Sequence, residues 1–328
     1  MYRSVSVRRE SWPLQGVFRI SRGARTESHV IVVEIAGDDV DGLGECFPYA
    51  RYGETLDSVV AQIESVAGEI ANGMDREGLL SALPPGAARN AIDCALWDFE
   101  AKKTGKRAWE LAGLPEPEPV TTVYTLGVDE PEAMGAKAKE NASRPVLKLK
   151  MTGDGKDLER VTLIHENAPN AKLVVDANEG WTVEQYNEYA PKFARLGVTM
   201  IEQPLPAGKD EGLKGLDRVV PVCADESCHD SKTLDELVGK YDMINIKLDK
   251  TGGLTEALKL RDRALAMGFE VMVGCMVGTS LAMAPGVVVA QGAAVVDLDG
   301  PLLLAKDRDP GLVFNGSIIQ PPEFGLWG

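Results

Sequence analysis

From about residue 120 the chain alternates short apolar runs with longer amphipathic stretches, and this alternation constrains its fold more than any other feature. Each run is rich in Val, Ile, Leu or Thr and is bounded by polar or turn residues, which is typical of buried parallel strands. The eight runs are VTTVYTLGV, PVLKLKM, KLVVDAN, VTMIEQP, VPVCADES, MINIKL, FEVMVGC and AAVVDLDG. The stretches between them have helical periodicity. Eight β/α alternations predict a (β/α)8-type barrel. A doubly wound open sheet is the alternative, because strand order is not readable from one sequence.

The residues before about 120 have a different pattern. SVSVRRESWPL, FRISRGARTESHVIVVEIAG and GLGECF are typical of a short antiparallel meander. TLDSVVAQIESVAGEIANG and AARNAIDCALWDFEAKKTG carry apolar residues at helical spacing. We therefore expect an α+β domain over residues 1–115, followed by the barrel over 116–307. The tail, 308–328, contains short β-like pieces and is expected to pack back on the first domain.

Charge and cysteine content exclude several classes of protein. The formal net charge of −15 argues against a nucleic-acid-binding protein or one that binds an anionic membrane surface. No stretch approaches the roughly 20 apolar residues that span a bilayer, and the N-terminus lacks the apolar core of a signal peptide. The five cysteines are scattered and odd in number, which is typical of reduced thiols in a cytoplasmic protein. The sequence does not reveal the oligomeric state, so a homo-oligomer is one expectation among others.

Most of the runs are interrupted or closed by a charged residue at a repeating position. Active sites of such barrels lie at the C-terminal ends of the strands. Successive positions are about one β/α unit apart, so these side chains should converge on one mouth. They are Lys148 and Lys150 in the second run, Asp176 in the third, Glu202 in the fourth, Asp225 in the fifth, Lys247 in the sixth, and Asp297 and Asp299 in the eighth.

Three carboxylates on adjacent strands need a reason to lie together, because like charges raise one another's pKa. A divalent cation is the usual remedy. Ligands that are all oxygen, without His or Cys, favour a hard ion, so Asp176, Glu202 and Asp225 predict a Mg²⁺ site, with Mn²⁺ as the alternative. The competing interpretation is that each acid only caps the helix after its strand.

The lysines are placed to act on one substrate from two sides. Lys148 and Lys150 are two residues apart on one strand and point to the same side, while Lys247 lies on the far side of the three acids. A cation between two amines suits removal of a proton next to a carboxylate, since the cation stabilises the enolate. A lysine base must lose its proton near neutral pH, and a nearby cation and a second ammonium group lower its pKa. The competing interpretation is solvated lysines at strand ends.

The motifs KLK, VVDAN, IEQP, ADES and NIKLDKTGG, in this order and spacing, resemble the enolase superfamily, muconate-lactonising-enzyme subgroup. GLGECFPYARYGET and AARNAIDCALWDFEAKKTGK resemble the capping domain of the same family. The resemblance implies an α/β fold, a modified TIM barrel of (β/α)7β type with an N-terminal α+β capping domain. It also implies that Asp176, Glu202 and Asp225 bind Mg²⁺, that Lys150 and Lys247 are the acid/base pair, and that Lys148 is an accessory lysine.

The substrate is suggested by the two ends of the expected site. Asp297 and Asp299 on one face of the last strand suit an ammonium group, and this DxD resembles the dipeptide-epimerase branch of the subgroup. The segment FRISRGARTESHV is expected to be a Gly-containing loop whose arginine binds a second carboxylate and excludes water during turnover. We favour Arg25, with Arg22 as the second choice. The resemblance then implies epimerisation of L-Ala-D/L-Glu, a small dipeptide from cell-wall peptide.

Other residues and other functions remain open from the sequence. Thr125 and Cys275 are expected to line the pocket, and Asn178 and Glu226 to support the ligands. His229 just past ADES is expected to be structural. The nearest rival function is a lyase of the same architecture, such as o-succinylbenzoate synthase or a cycloisomerase. Racemisation of N-acylamino acids is a third function, and a non-catalytic metal-binding scaffold is the alternative from another class.

Overall fold

The N-terminal part packs a three-stranded antiparallel sheet against helices in the computed structural model, which describes residues 3–21, 23–37 and 39–328. Its elements are β1 (Ser4–Ile20), β2 (Gly23–Ala36), β3 (Asp41–Cys46), α1 (Leu56–Ala71), α2 (Arg76–Ala82), α3 (Ala87–Thr104) and α4 (Ala108–Leu111). The central helix α3 packs directly on β3. A Cβ at Gly44 would lie 2.1 Å from the carbonyl oxygen of Ala91, so only glycine permits this approach. This sheet-and-helix unit is the cap.

The remaining chain forms a closed eight-stranded parallel sheet in the order of the sequence. Hydrogen bonding from Val123 N to Val296 O, at 2.9 Å, joins the first strand's edge to the last strand and closes the ring. The strands are β5 (Tyr124–Leu126), β6 (Val146–Lys150), β7 (Lys172–Asp176), β8 (Val198–Glu202), β9 (Val222–Ala224), β10 (Met243–Ile246), β11 (Glu270–Gly274) and β12 (Val295–Asp297). In a ring of eight, β6 and β10 are four positions apart and therefore lie on opposite sides.

Helices surround the barrel, as the periodicity predicts, with one interruption. They are α5 (Pro131–Glu140), α6 (Asp157–Asn167), α7 (Val183–Arg195), α8 (Leu234–Leu237), α9 (Leu248–Thr251), α10 (Leu254–Ala266), α11 (Ser280–Val289) and α12 (Gly300–Leu303). The connection from β8 to β9 contains only the 3-10 turn Glu211–Leu213. The expectation of a full helix in every connection is wrong there, and α8 is a four-residue helix. None of the described helices combines the length and apolar character that crossing a membrane requires.

The C-terminal tail contacts both parts of the chain. Its hairpin, β13 (Phe314–Asn315) and β14 (Ile318–Ile319), pairs with β4 (Val120–Thr121) beside the start of the barrel. Its last residues lie on α3 of the cap, where Gly328 N donates to Asp98 Oδ1 at 2.7 Å. We keep residues 1–115 and 116–307 as proposed domain limits, with the tail shared between them.

The segment expected to be a Gly-containing loop is instead mostly the end of a hairpin. Phe18 pairs with Arg25, and Ile20 pairs with Gly23, so β1 and β2 remain bonded almost to their turn. The pairing extends because both flanks contain residues that suit extended backbone. Arg25 is therefore carried by a strand, a more rigid support than a loop.

Candidate active site

The C-terminal ends of the barrel strands meet the cap around one cavity, which measures about 600 Å³ with its open mouth. The cap contributes Phe18, Ile20, Phe47 and Tyr49 to its wall. Most residues expected at the site line it: Arg25, Thr125, Lys150, Asn178, Asp225, Glu226, Lys247, Cys275, Asp297 and Asp299. The other three, Lys148, Asp176 and Glu202, are buried beside it with at most 1% of their surface exposed.

Each of the three acids has one carboxylate oxygen fixed by a donor from its own surroundings. Asp176 Oδ1 accepts from the backbone N of Asn178 at 2.9 Å. Glu202 Oε1 accepts from the side-chain Nδ2 of Asn245 at 2.7 Å. Asp225 Oδ1 accepts from Lys250 Nζ at 2.6 Å. The remaining oxygen of each carboxylate is thereby turned the other way.

The second oxygen of each acid contacts one of the predicted lysines. Lys150 Nζ lies 2.5 Å from Asp176 Oδ2, and Lys247 Nζ lies 2.6 Å from Asp225 Oδ2. Lys148 Nζ lies 2.7 Å from Glu202 Oε2, an ion pair without hydrogen-bond geometry, and 3.4 Å from Asp176 Oδ2. Three carboxylates and three ammonium groups therefore form a network of charges at the mouth. Direct contacts join it in two groups, Asp176 and Glu202 with Lys148 and Lys150, and Asp225 with Lys247.

The charges of this network shift the pKa values of the three acids in different directions. Burial alone would raise the pKa of Asp176, but Lys150 and Lys148 outweigh it and lower that pKa to about 2. Burial also opposes ionisation of Asp225, yet Lys247 and Lys250 hold its pKa well below the usual range. Burial, together with the charge of Asp176, raises the pKa of Glu202. Glu202 is thus the acid with the least compensated charge.

The donor chemistry of the three acids fits a hard divalent cation, because their ligand atoms are all carboxylate oxygens. In the part of the chain that the structure describes, no three Asp, Glu, His or Cys side chains surround a common point as metal ligands do. The ammonium groups take that role as stand-in cations, since each contacts the carboxylate oxygen left by the fixing donor. An ion that displaced them would find oxygen ligands only, which is the set that Mg²⁺ prefers.

The pKa of Lys247 is set by opposing effects in this network. Burial lowers that pKa, and the neighbouring ammonium group of Lys148 lowers it as expected, but the carboxylates of Asp225 and Glu202 outweigh both and raise it well above the usual value. Its ammonium group is therefore the stable form while Asp225 is its partner.

A second lysine, Lys250, contacts the same carboxylate in a different way. Its Nζ donates to Asp225 Oδ1 at 2.6 Å, to Asp225 O at 2.5 Å and to Asn245 O at 3.0 Å. These bonds use all three protons of the ammonium group. Among the described residues, Lys247 has a single such bond, to Asp225 Oδ2, and it lines the cavity. The geometry thus separates a structural lysine from one that has protons free to face a ligand.

Of the two acids expected on the last strand, Asp297 ends β12, whereas Asp299 lies past it, directly before α12, and their contacts differ. Asp297 Oδ2 accepts from Lys148 Nζ at 2.6 Å, so this acid belongs partly to the lysine network. Asp299 Oδ2 accepts from the backbone N of Thr125 at 2.6 Å. Burial and the charge of Asp297 raise the pKa of Asp299 to about 7. A cation between the two carboxylates would relieve their repulsion.

Arg25 reaches the cavity from the cap with its guanidinium over the ring of Phe47, 5.0 Å from the ring centre. Burial lowers its pKa, and none of the described acids forms an ion pair with it. A partly buried guanidinium of this kind is ready for an incoming carboxylate. Arg22, the second choice, lies outside the described residues.

The other expected residues lie around this centre. Asn178 has a left-handed backbone with φ of 46°, and its N–H is the donor to Asp176. Glu226 and Cys275 line the cavity wall. Burial and the nearby charges of Asp297 and Asp299 raise the pKa of the Cys275 thiol, which argues against a nucleophile. His229 packs edge-on against Tyr52 of the cap, with ring centres 4.9 Å apart.

Sequence reasoning missed three supporting residues. Asn245 lies on β10, two positions before Lys247, which directly follows that strand with extended backbone, so strand alternation could have placed both inside the barrel. Gln203, next to Glu202, accepts from Asp225 N at 2.9 Å and so links two of the acids. The burial of Lys250 could not be predicted from the sequence, because a lysine in a short helix is ordinarily exposed.

Comparison with protein families identifies both parts of the chain. Residues 2–113 match the N-terminal domain of the mandelate racemase / muconate lactonizing enzyme family. Residues 133–323 match the family described as enolase C-terminal domain-like. An L-Ala-D/L-Glu epimerase from Escherichia coli (strain K12) is 46% identical over 95% of this chain and 98% of its own length. An N-acetyl-D-glutamate racemase from a Pseudoalteromonas species is 42% identical, over 91% of this chain and 95% of its own.

Solved structures also match this chain over nearly its whole length. An enolase family member from Agrobacterium tumefaciens, with homology to dipeptide epimerases and with sodium and L-Ala-L-Glu bound, superposes with a TM-score of 0.97. It is 50% identical and covers 99% of this chain and 100% of its own. A dipeptide epimerase from Methylococcus capsulatus, in complex with Mg and L-Arg-D-Lys, is 30% identical with a TM-score of 0.92 and covers 100% and 99% of the two chains.

Proposed function

The chain belongs to the mandelate racemase / muconate lactonizing enzyme family of the enolase superfamily, and because the relatives compared with it are racemases and epimerases, we propose that it is a Mg²⁺-dependent dipeptide epimerase. The substrate is L-Ala-L-Glu, which it interconverts with L-Ala-D-Glu at the α-carbon of glutamate. The observation that carries the proposal is the pairing of three acids on neighbouring strands with lysines on opposite sides of the ring.

Asp176, Glu202 and Asp225 hold the magnesium ion in this proposal. Each has one oxygen fixed by a donor from its surroundings, so the other oxygens are preset for a ligand. The bound ion supplies positive charge beside the substrate carboxylate as negative charge develops there. Mn²⁺ has the same preference for oxygen and is the alternative ion.

Lys150 and Lys247 transfer the proton at the α-carbon. They end or follow strands on opposite sides of the ring, and both line the cavity. A neutral lysine on one side removes the proton, leaving a planar carbanion, and the ammonium group on the other side returns a proton with inversion. Lys148, fully buried against Glu202 and Asp297, is an accessory cation that binds a substrate oxygen.

Asp297 and Asp299 bind the free ammonium group of the dipeptide. They are buried neighbours at the end of β12, and the pKa of Asp299 is raised by burial and by the charge of Asp297. An ammonium group placed between them offsets both effects. Thr125 holds Asp299 through its backbone N–H, and Cys275 lines the wall beside them.

Arg25 binds the glutamate side chain in this proposal, which leads to a specificity prediction. Arg25→Ala should lower kcat/KM for L-Ala-L-Glu about 10- to 100-fold, as expected for one charge-assisted hydrogen-bonded pair. L-Ala-L-Gln, which lacks that charge, should lose less than threefold. Steady-state kinetics on both dipeptides, with Arg25→Lys as the charge-retaining control, measure this ratio. An equal loss of kcat/KM on both dipeptides would show that Arg25 does not bind the glutamate side chain.

The raised pKa of Asp299 predicts how dipeptide turnover depends on pH. Because that pKa is about 7, the carboxylate is charged above pH 7 and neutral below it. The kcat/KM for L-Ala-L-Glu should therefore fall as the pH drops through about 7, since kcat/KM reports the free enzyme. Asp299→Asn should remove this step at a lower overall activity. A pH profile in which the step is unchanged by the substitution would contradict the assignment.

Racemisation of N-acetylglutamate is the second candidate. The Pseudoalteromonas relative with that activity favours it, since it is nearly as similar as the epimerase from E. coli. Such a substrate keeps the carboxylate for Arg25 but has no ammonium group for Asp297 and Asp299.

The experiment that tests the function follows deuterium at the α-carbon. Protein with Mg²⁺ in D₂O is incubated separately with L-Ala-L-Glu and N-acetyl-L-glutamate, and both stereoisomers are quantified by NMR. We expect deuterium at the α-carbon of both diastereomers of Ala-Glu, and much slower incorporation of deuterium into N-acetylglutamate. Preference for N-acetylglutamate would establish the second candidate, and absence of α-exchange in both would refute a racemase or epimerase function.

A further inference from the structure

Glu202 is the least constrained of the three acids, and its orientation depends on the neutral side chain of Asn245. Asp176 and Asp225 each contact two cationic or backbone donors at close range. Within the described part of the chain, Glu202 accepts one side-chain hydrogen bond, from Asn245 Nδ2 to its Oε1 at 2.7 Å. Its Oε2 receives no hydrogen bond from the described residues and lies 2.7 Å from Lys148 Nζ.

The hydrogen bond from Asn245 to Glu202 forms although the amide of Asn245 is not fully satisfied. The residue is fully buried on β10, two positions before Lys247, so both side chains point into the barrel. Its own Oδ1 has no hydrogen-bond partner among the described residues. A buried amide oxygen without a donor is unfavourable. The amide therefore keeps its donor on Glu202 while its acceptor is left without a partner.

Gly274 at the end of the neighbouring strand β11 makes room for that amide. A Cβ built at Gly274 would lie 2.6 Å from Asn245 Oδ1 and 2.9 Å from Asn245 Nδ2. The backbone of Gly274 is not in the left-handed region, so alanine would meet no backbone strain there. The glycine is needed for space alone, and the space is occupied by the head of Asn245.

We propose that Asn245, given room by Gly274, is the positioning residue that decides which oxygen of Glu202 faces the cation site. By holding Oε1, it leaves Oε2 for the metal, as Asn178 N and Lys250 do for the other two acids. The inference rests on the magnesium role of Glu202 in the proposed function. Asn245 acts through Glu202 and has no direct part in proton transfer.

The test is a double-mutant cycle read out as Mg²⁺ affinity, by isothermal titration calorimetry without substrate. Asn245→Ala removes the donor, and Gly274→Ala displaces it. Each single substitution should weaken Mg²⁺ binding about 10- to 100-fold, the usual effect of losing a residue that orients a metal ligand. In the Asn245→Ala background, Gly274→Ala should add less than a factor of two, because the group it displaces is already gone.

Controls separate this inference from the proposed function and from misfolding. Gly68→Ala, at an exposed site of α1 with no atom within 4 Å of the new Cβ, should leave Mg²⁺ affinity unchanged. Circular dichroism checks that each variant is folded, and Asn245→Ser, too short to reach Glu202, replaces Asn245→Ala if the latter unfolds. Variants that bind Mg²⁺ within twofold of the unsubstituted protein, or independent effects of the two substitutions, would overturn the inference alone. Absence of Mg²⁺ binding by the unsubstituted protein would overturn the proposed function as well.

Discussion

Lys150→Ala and Lys247→Ala should each lower kcat for epimerisation of L-Ala-L-Glu at least about 100-fold, the usual contribution of a positioned acid or base. Inversion needs one group to remove the proton and another to return it from the opposite face. The two lysines are carried by β6 and by the residue that follows β10, which lie on opposite sides of the ring. Loss of either group therefore breaks the reaction in both directions.

The folds of both lysine variants should be intact, because neither substitution leaves an acid without a cation. Asp225 keeps Lys250 at 2.6 Å, and Asp176 keeps Lys148 at 3.4 Å. Lys172→Ala is the matched control, since Lys172 is an exposed lysine at the opposite end of the barrel strand that carries Asp176. Its activity should stay within twofold of the unsubstituted protein. Full activity in either catalytic variant would exclude that lysine as an acid or base.

Asp225→Asn should abolish measurable Mg²⁺ binding and also destabilise the protein without magnesium. The carboxylate neutralises two buried lysines, Lys247 and Lys250, each 2.6 Å away. Removing one partner of a buried ion pair leaves uncompensated charge and costs about 3 kcal/mol or more. Urea denaturation of the metal-free protein measures the loss in free energy of unfolding, and calorimetry measures the loss of Mg²⁺ binding.

Asp235→Asn is the control for this substitution. Asp235 pairs with Arg263 at the surface, where its side chain is 71% exposed. Such a pair contributes at most about 1 kcal/mol, and it is remote from the cavity. A metal-free Asp225→Asn protein as stable as the control, or one that binds Mg²⁺ with unchanged affinity, would contradict the role given to Asp225.

The barrel and most of its site are predictable because strand ends repeat. Asp176, Glu202 and Lys247 lie near the C-terminal ends of the third, fourth and sixth apolar runs, and parallel strands bring such positions to one rim. That argument does not depend on details of packing, so it survives variation in the connections. The missing helix between β8 and β9 illustrates this, since the two strands still pair in parallel without it, with Glu202 opposite Cys223, two residues before Asp225.

The parts that could not be predicted depend on contacts between residues distant in sequence. The extended β1–β2 pairing that carries Arg25 is decided by cross-strand contacts, which one sequence does not specify. Asp297 on β12 binds Lys148 on β6, two strands away around the ring, a partnership that strand periodicity cannot assign. Burial of Lys250 follows from the two carbonyl oxygens and one carboxylate that converge on it. Each is a property of the closed barrel and not of a local motif.

The central claim is that the two lysines transfer a proton at one α-carbon from its opposite faces. Isotope exchange in the single-lysine variants tests this claim most directly. In D₂O, the remaining lysine can remove and return the proton on its own face without inversion. We expect Lys150→Ala to exchange the α-hydrogen of only one diastereomer of Ala-Glu, and Lys247→Ala to exchange only the other, as followed by NMR. Exchange of the same diastereomer by both variants, or of both diastereomers by one variant, would contradict the account.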